Sequence, residues 1–578
     1  MKRSRNSFRN NNFIKRAQIL SAIVVALFLV VFLKLFQVQI VNHNFYKVLA
    51  QDQHEFSEKI IPERGEIFIN DSYSDKIYPL AVNKELSLVY AVPKNIDDKK
   101  EVATKLAELL ELDEEEVFKI ISKKDDPYEV LKRKVSDEVV EKIKSEDITG
   151  IKTSPEIIRY YPGDSLAANV IGFVGYSGHE KVGQYGIEGY YNERLQGTMG
   201  FLELEKDSMG KWITFGSKNS QSSQDGDDIV LTIDQTIQYI SETKLKEAVI
   251  KYGAESGNII IMDPKTGAIV AMAQYPSFNP NEYFKEKEMN VFLNSSIHSV
   301  YEPGSIQKVI TMAIGLDLGK ISPSSTYFDY GFVKIDGWTI HNSDGKTNEK
   351  QTMTQILEKS LNTGSIFVQQ QVAKKDFYNY LRLFKLDELT GIEINGEEKG
   401  SLSRLNSKKD INYATVSYGQ GISVTPLSIL TAISSFANDG KLMKPYIVSE
   451  FIKADGHSEK NKPKVVCQVV SPKTASLISA MMTSVIKNGH AKQAGIKGYK
   501  LAGKTGTAQI PKKNGRGYEE DKTIHTFVGF GPIPNPKFSI LVKLDSPTNA
   551  LYAANTTAVV FGELSQELVN YYNVPASH

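Results

Sequence analysis

Tyr301-Glu302-Pro303-Gly304-Ser305-Ile306-Gln307-Lys308 runs without a break into Val309-Ile310-Thr311-Met312-Ala313-Ile314-Gly315-Leu316, and the reading of the whole chain turns on this junction. Pro-Gly closes one local conformation, and the apolar run predicts a buried helix that begins near Ser305. A serine in a first helical turn lies among backbone N–H groups that have no intrahelical partner. A lysine three residues on lies on the same face. Such a pair can work as nucleophile and base if burial and a second cation bring the lysine far below its ordinary pKa of about 10.4. The mechanism thus demands another cation nearby. Spacing alone is weak support, because S-x-x-K also occurs at Ser208, Ser241, Ser343 and Ser484.

Two later stretches complete a pattern. Ser360-Leu361-Asn362 follows the helix-like Ile356-Leu357-Glu358-Lys359, and Lys504-Thr505-Gly506-Thr507 reads as part of a strand ending at Pro511. The order is S-x-x-K, S-x-N, K-T-G. Rival chemistries are weaker. Gly498-Tyr499-Lys500-Leu501-Ala502-Gly503-Lys504-Thr505 matches a phosphate-binding loop, and Ile259-Ile260-Ile261-Met262-Asp263 imitates its partner strand. Such a loop needs a strand before it and a helix after it, and 491–497 is a poor strand while 505–511 is not helical. No G-x-S-x-G elbow occurs, and none of the nine histidines forms H-x-x-x-H, so neither a serine-histidine triad nor a metal site is expected. No cofactor is expected either.

Outward from these motifs, the chain has 578 residues, 41% hydrophobic and 24% charged, which allows about three to five folded domains. A formal net charge of +1 supplies no field for a polyanion, so nucleic acid is not an expected partner. The single cysteine, Cys467, excludes an intrachain disulfide, and Val465-Val466-Cys467-Gln468-Val469-Val470 places it on a strand, as an expected core residue.

Residues 1–18 form a basic tail. The span 19–41 is apolar apart from Ser21, Lys34, Gln37 and Gln39, and is long enough to cross about 30 Å of hydrocarbon with Lys34 snorkelling. The positive flank predicts a cytoplasmic N-terminus, and the large residues around Lys34 offer no signal-peptide cleavage site. Beyond it, a charged helix is expected over 99–124, with Val102, Leu106, Leu109, Leu110, Val117 and Ile121 as its apolar stripe. Residues 216–228 contain no apolar side chain and mark a linker or exposed loop. After it come a strand at 229–233, a helix at 236–252, a hairpin of 258–262 and 268–273, a second hairpin of 527–530 and 538–544, and a closing helix at 556–572. This order predicts an α/β (α+β) domain with an antiparallel sheet flanked by helices.

The three motifs together resemble the penicillin-binding proteins and serine β-lactamases. The likeness extends along 228–575: Asp263-Pro264-Lys265-Thr266-Gly267 is similar to the family's first hairpin turn, so its Lys-Thr-Gly is a decoy. Tyr418-Gly419-Gln420-Gly421-Ile422-Ser423-Val424-Thr425-Pro426 and Phe527-Val528-Gly529-Phe530 also look like family stretches. Glu63-Arg64-Gly65-Glu66-Ile67 and Tyr185-Gly186-Ile187-Glu188-Gly189 resemble the N-terminal domain of the bitopic, monofunctional class B members. The resemblance implies a transmembrane helix, an elongated α+β dimerisation or pedestal domain at 42–227, and a transpeptidase domain at 228–575. The pedestal is too short and wrongly patterned for the glycosyltransferase of class A.

It also implies roles. Ser305 would attack the D-alanyl-D-alanine carbonyl of a peptidoglycan stem peptide and Lys308 would take its proton. Ser360 would relay a proton to the departing D-alanine, and Asn362 would bond the substrate amide. Lys504 with Thr505, Gly506 and Thr507 would hold the terminal carboxylate, and the backbone N–H groups of Ser305 and Thr507 would form the oxyanion site. β-Lactams would acylate Ser305. The implied place is a bacterial cytoplasmic (inner) membrane, with the catalytic domain extracytoplasmic or periplasmic, beside a polytopic glycan polymerase and division-complex proteins. The septal type is favoured over the elongation type by the length and by 421–426. Alternatives are a β-lactamase or β-lactam sensor and a non-catalytic scaffold. The chain departs from the family at Ile306 and Gln307, commonly Thr then Phe or Met, and at Asn70-Asp71-Ser72-Tyr73.

Overall fold

The computed structural model describes residues 7–37, 55–74, 76–123, 128–178, 180–205, 219–512 and 517–576. They divide into two compact units, 1–62 with 197–225, and 63–196 with 226–578.

The first unit contains the helix Ser7–Phe36, of which Gln18–Phe36 has a mean hydropathy of 2.9 and is unburied. At 1.5 Å per residue its 19 residues rise about 28 Å, close to the hydrocarbon thickness. The helix is long and apolar enough to cross a membrane. Residues 38–41 of the expected span lie outside the described residues. The unit also holds a three-stranded antiparallel sheet of Glu55–Ile60, Gly200–Glu205 and Asn219–Gln221. The last strand falls within the stretch expected as a linker, whose residues 216–218 lie outside the described ones.

In the second unit a mixed sheet joins early and late chain, because Asp228–Asp234 pairs in parallel with Ile67–Asp71 and antiparallel with Val448–Ile452. Glu188, fully buried, fastens the early part. Arg64 donates to its Oε2 from Nε and Nη2 (2.8 and 2.5 Å), and Arg159 donates to Oε1 from Nε (2.6 Å). Burial alone would raise this carboxyl; the two guanidinium groups outweigh it and hold it below its usual range. The expected charged helix is two helices, Lys99–Leu110 and Glu114–Ile121. Glu111 turns left-handed (φ 52°) and the Asp113 side chain accepts from the Glu116 N–H, so a new N-cap starts where the first helix stops. The apolar stripe survives the break, with Leu106, Leu110, Val117 and Ile121 in one core.

The sheet that carries the site is five-stranded and antiparallel. Its strands are β1 (Ser256–Met262), β2 (Ile269–Tyr275), β3 (Ala502–Pro511), β4 (Tyr518–Gly531) and β5 (Phe538–Asp545), in the order β2-β1-β5-β4-β3. Every residue of β5 from Phe538 to Leu544 is buried, so both faces of the sheet are covered. Helices Gln235–Tyr252, Pro426–Ser434, Pro472–Asn488 and Thr557–Tyr571 pack against it. The expected strands and the two long flanking helices are therefore present. Cys467 differs: among the described residues its strand, Val465–Gln468, pairs with Lys441–Met443 alone, and the thiol is half-buried at the rim of the core.

Candidate active site

Four segments meet at one place. Gly304–Ile306 forms a single 3₁₀ turn, and α1 (Gln307–Asp317) begins directly after it, two residues later than the sequence predicts. Every residue from Gln307 to Leu316 is buried, which draws Lys308 inward, while Ser305 stays half-exposed. The turn is fixed by two left-handed glycines, Gly304 (φ 52°) and Gly419 (φ 88°), and the Gly304 N–H donates to the Gly419 carbonyl (3.2 Å). A Cβ on Gly419 would stand 2.1 Å from the Gly304 oxygen. Glu302 accepts from the Gly421 N–H (2.8 Å) and the Tyr518 hydroxyl (3.0 Å), holding the same loop from its other side.

Helix α2 (Met353–Lys359) opens with a capping box at Thr352 and Gln355 and ends at Ser360, which turns left-handed (φ 55°). That conformation lets the carbonyl and hydroxyl of one residue converge on Lys308 Nζ, which donates to them at 2.5 and 3.3 Å. Asn362 begins α3 (Asn362–Gln370) and donates from Nδ2 to the His341 carbonyl (2.9 Å). Strand β3 is an edge strand, with one row of backbone groups free of the sheet ladder. A Cβ on Gly506 would lie 3.1 Å from the Pro303 oxygen, so this edge runs against the Ser305 turn. From β3, Lys504 Nζ donates to Ser360 Oγ (3.0 Å), the Thr505 carbonyl (3.1 Å) and Thr505 Oγ1 (3.3 Å). Thr507 Oγ1 accepts from the Ala553 N–H (3.3 Å).

The two lysines are chemically different. Burial first, and the Lys504 charge second, depress Lys308 well below an ordinary lysine. Burial brings Lys504 down to about 7. Lys308 Nζ has two partners, both on Ser360, and Lys504 Nζ has three, of which one is the same Ser360 Oγ. Ser360 Oγ accepts from both, which leaves its own proton available to a third group. The second cation required by the sequence argument is thus Lys504.

Other motifs fall elsewhere. Lys265-Thr266-Gly267 is a turn between β1 and β2, tied down by Asp263, which accepts from the Lys265 N–H (2.9 Å) and the Thr266 hydroxyl (2.8 Å). Residues 498–505 run into β3 with no following helix, so no phosphate cradle forms. Ser241 bonds its own helix and Ser484 bonds Glu358; Ser208 lies outside the described residues. No cluster of metal-ligating side chains occurs among the described residues. The sequence reading missed the segment 326–352, which packs beside Asn362. Its signal was present: Asp336-Gly337, both at positive φ, forms a two-residue hairpin turn between Phe332–Ile335 and Trp338–His341.

A family model described as the penicillin binding protein transpeptidase domain matches residues 257–566, more than half of the chain, and one described as the penicillin-binding protein dimerisation domain matches 59–231. The chain belongs to the class B penicillin-binding proteins. This class B protein is 32% identical over 539 residues to stage V sporulation protein D of Bacillus subtilis, covering 92% of this chain and 82% of that one. It is 31% identical to the peptidoglycan D,D-transpeptidase FtsI of Buchnera aphidicola over 94% and 92% of the two chains. Among solved structures it resembles a peptidoglycan synthetase from Bifidobacterium adolescentis (25% identity, TM-score 0.71, covering 91% and 98%). Penicillin binding protein 3 of Mycobacterium tuberculosis shares the fold (24% identity, TM-score 0.70, covering 90% and 98%).

Proposed function

We propose that this protein cross-links peptidoglycan as a serine D,D-transpeptidase in septal wall synthesis, through an acyl-enzyme on Ser305. The observation that carries the reading is the convergence of Lys308 and Lys504 on Ser360 Oγ beside the Ser305 turn. Lys308, neutral and with a lone pair, takes the Ser305 proton as Oγ bonds the D-alanyl-D-alanine carbonyl carbon. The oxyanion sits between the Ser305 and Thr507 backbone N–H groups on the exposed edge of β3. Ser360 gives its proton to the departing D-alanine nitrogen as the peptide bond breaks, and takes in its place the proton that Lys308 received from Ser305. Asn362 bonds the stem-peptide amide, and Lys504 with Thr505, Gly506 and Thr507 holds the terminal carboxylate. An amine of a second stem then displaces Ser305. A β-lactam imitates the dipeptide and stops at the acyl-enzyme.

The two family matches support a pedestal at 42–227 and a transpeptidase domain at 228–575. The basic residues before the apolar helix support a single-pass anchor with a cytoplasmic N-terminus, and the catalytic domain outside a bacterial cytoplasmic membrane. Peptidoglycan stem peptides and β-lactams are the ligands, with a polytopic glycan polymerase and division-complex proteins as partners. The relative named for stage V of sporulation favours a second reading, the same chemistry in spore-wall assembly. The test is labelling of membranes carrying the full chain with a fluorescent penicillin, alongside Ser305→Ala. A denaturation-stable adduct on the unsubstituted protein alone is expected. No adduct, or one lost within minutes, overturns the reading in favour of a scaffold or a β-lactamase. Localisation of a fluorescent fusion to mid-cell, lateral wall or forespore separates the pathways.

A further inference from the structure

Asp329 is fully buried, has no part in the chemistry above, and is saturated with donors. Its Oδ1 accepts from the Gly331 N–H (3.0 Å), Asn342 Nδ2 (3.1 Å) and Thr363 Oγ1 (2.8 Å). Its Oδ2 accepts from Asn342 Nδ2 (2.9 Å), the Asn348 N–H (3.1 Å) and Asn348 Nδ2 (2.9 Å). The residues it grips are the neighbours of the site. Asn342 follows His341, whose carbonyl accepts from Asn362 Nδ2, and Thr363 follows Asn362. Asn342 Oδ1 in turn accepts from the Thr363 N–H (3.2 Å), an otherwise orphaned donor in the first turn of α3. The Asn362–His341 bond therefore lies inside a closed ring of Asp329, Asn342 and Thr363. Asn348 extends the hold to Lys359, which donates to its Oδ1 (3.4 Å) directly before Ser360.

We propose that Asp329 is a positioning residue for Asn362, fixing through Asn342 and Thr363 the orientation in which the Asn362 amide meets the substrate. This deepens, and rests on, the proposed transpeptidase function. Half-buried Asn362 has an amide that two rotations of its side chain would misdirect. Its Nδ2 is held by a single bond to a backbone carbonyl on a different segment. That segment, 326–352, packs on α3 through Ile335 against Ile366 and Tyr327 against Phe367, but beside Asn362 the junction is polar and centred on one carboxylate, which suits the position because four neighbouring residues offer it only N–H and O–H donors. An amide in its place would turn an N–H₂ group toward those donors.

The test is the second-order rate of acylation by a fluorescent penicillin, measured on the full chain in detergent for Asp329→Asn, Asn362→Ala and the double variant. Asp329→Asn is expected to slow acylation about 10-fold, the scale of one hydrogen bond to the substrate lost. In the Asn362→Ala background the same substitution should change the rate less than 2-fold, since it has no amide left to orient. Equal slowing in both backgrounds, or none in either, overturns the proposal. Should Asp329→Asn not fold, Thr363→Val against Thr363→Ser replaces it. The serine keeps the hydroxyl donor and should restore the rate that valine loses; equal rates in the two overturn the proposal. A failure of the unsubstituted protein to be acylated would instead sink the proposed function itself.

Discussion

Replacement of Lys504 by methionine separates two tasks that one residue performs. Both lysine nitrogens donate to Ser360 Oγ, at 3.3 and 3.0 Å, so they are at most about 6 Å apart. At an effective dielectric constant of about 20, two unit charges at that distance repel by about 3 kcal/mol, equivalent to ~2 pH units on the titration of either. Removing the Lys504 charge lets Lys308 hold its proton more tightly. Its pKa rises, and the acid limb of the acylation profile moves up by about 2 pH units. In the proposed mechanism the substrate carboxylate also loses a partner, which lowers the rate by a factor that does not depend on Lys308. The assay is the acylation rate with a fluorescent penicillin from pH 5 to 10 for Lys504→Met and the unsubstituted protein. A limb that stays in place or moves down refutes the electrostatic coupling, even if the overall rate falls.

The same variant has a stability consequence of defined sign. Lys504 is fully buried and titrates at about 7, against about 10.4 in the unfolded chain. Between those values the unfolded state binds more protons, so this residue makes stability rise with pH through that window. At pH 7 its burial costs about 4 kcal/mol, a cost that fades as pH approaches 10.4. Lys504→Met, of similar volume, should be the more stable protein near pH 7 and should lose that advantage in alkali. Urea unfolding of both proteins across the window checks this. A constant difference refutes it.

Two other substitutions probe the scaffold. Gly419→Ala forces a Cβ to 2.1 Å from the Gly304 oxygen at a φ of 88°, so it should cost at least about 2 kcal/mol and displace the Ser305 turn. Thermal unfolding and penicillin labelling should fall together; intact labelling would show that the turn does not depend on this contact. Glu188→Gln removes the charge that Arg64 and Arg159 share in the interior and should cost about 3–5 kcal/mol in urea unfolding. A loss under about 1 kcal/mol would mean that water reaches the two guanidinium groups.

The parts of this fold legible in sequence are those whose physics is local. Ser305 and Lys308 are three residues apart because one helical turn must present both, and Lys504 and Thr505 are adjacent on one strand, so motif and geometry coincide. The hairpin β1–β2 could be read because Asp263-Pro264 and Gly267 supply turn chemistry between two apolar runs. Illegible features join residues far apart or depend on one backbone angle. Nothing near Asp329 in sequence announces Thr363, thirty-four positions on, and nothing near Glu188 announces Arg64. The single left-handed residue Glu111 split an unbroken apolar stripe into two helices, because the stripe records which side chains are buried and not where the backbone turns. Cys467 was misplaced for a related reason: a short, mostly apolar run does not distinguish a central strand from one with a single short neighbour. A serine and lysine that meet at one site can therefore be found by spacing, whereas the residues around Asn362 emerge only when hydrogen bonds are followed across the fold. Any change of rate without change of motif among relatives of this protein should first be sought in that second set, at Asp329, Asn342, Asn348 and Thr363.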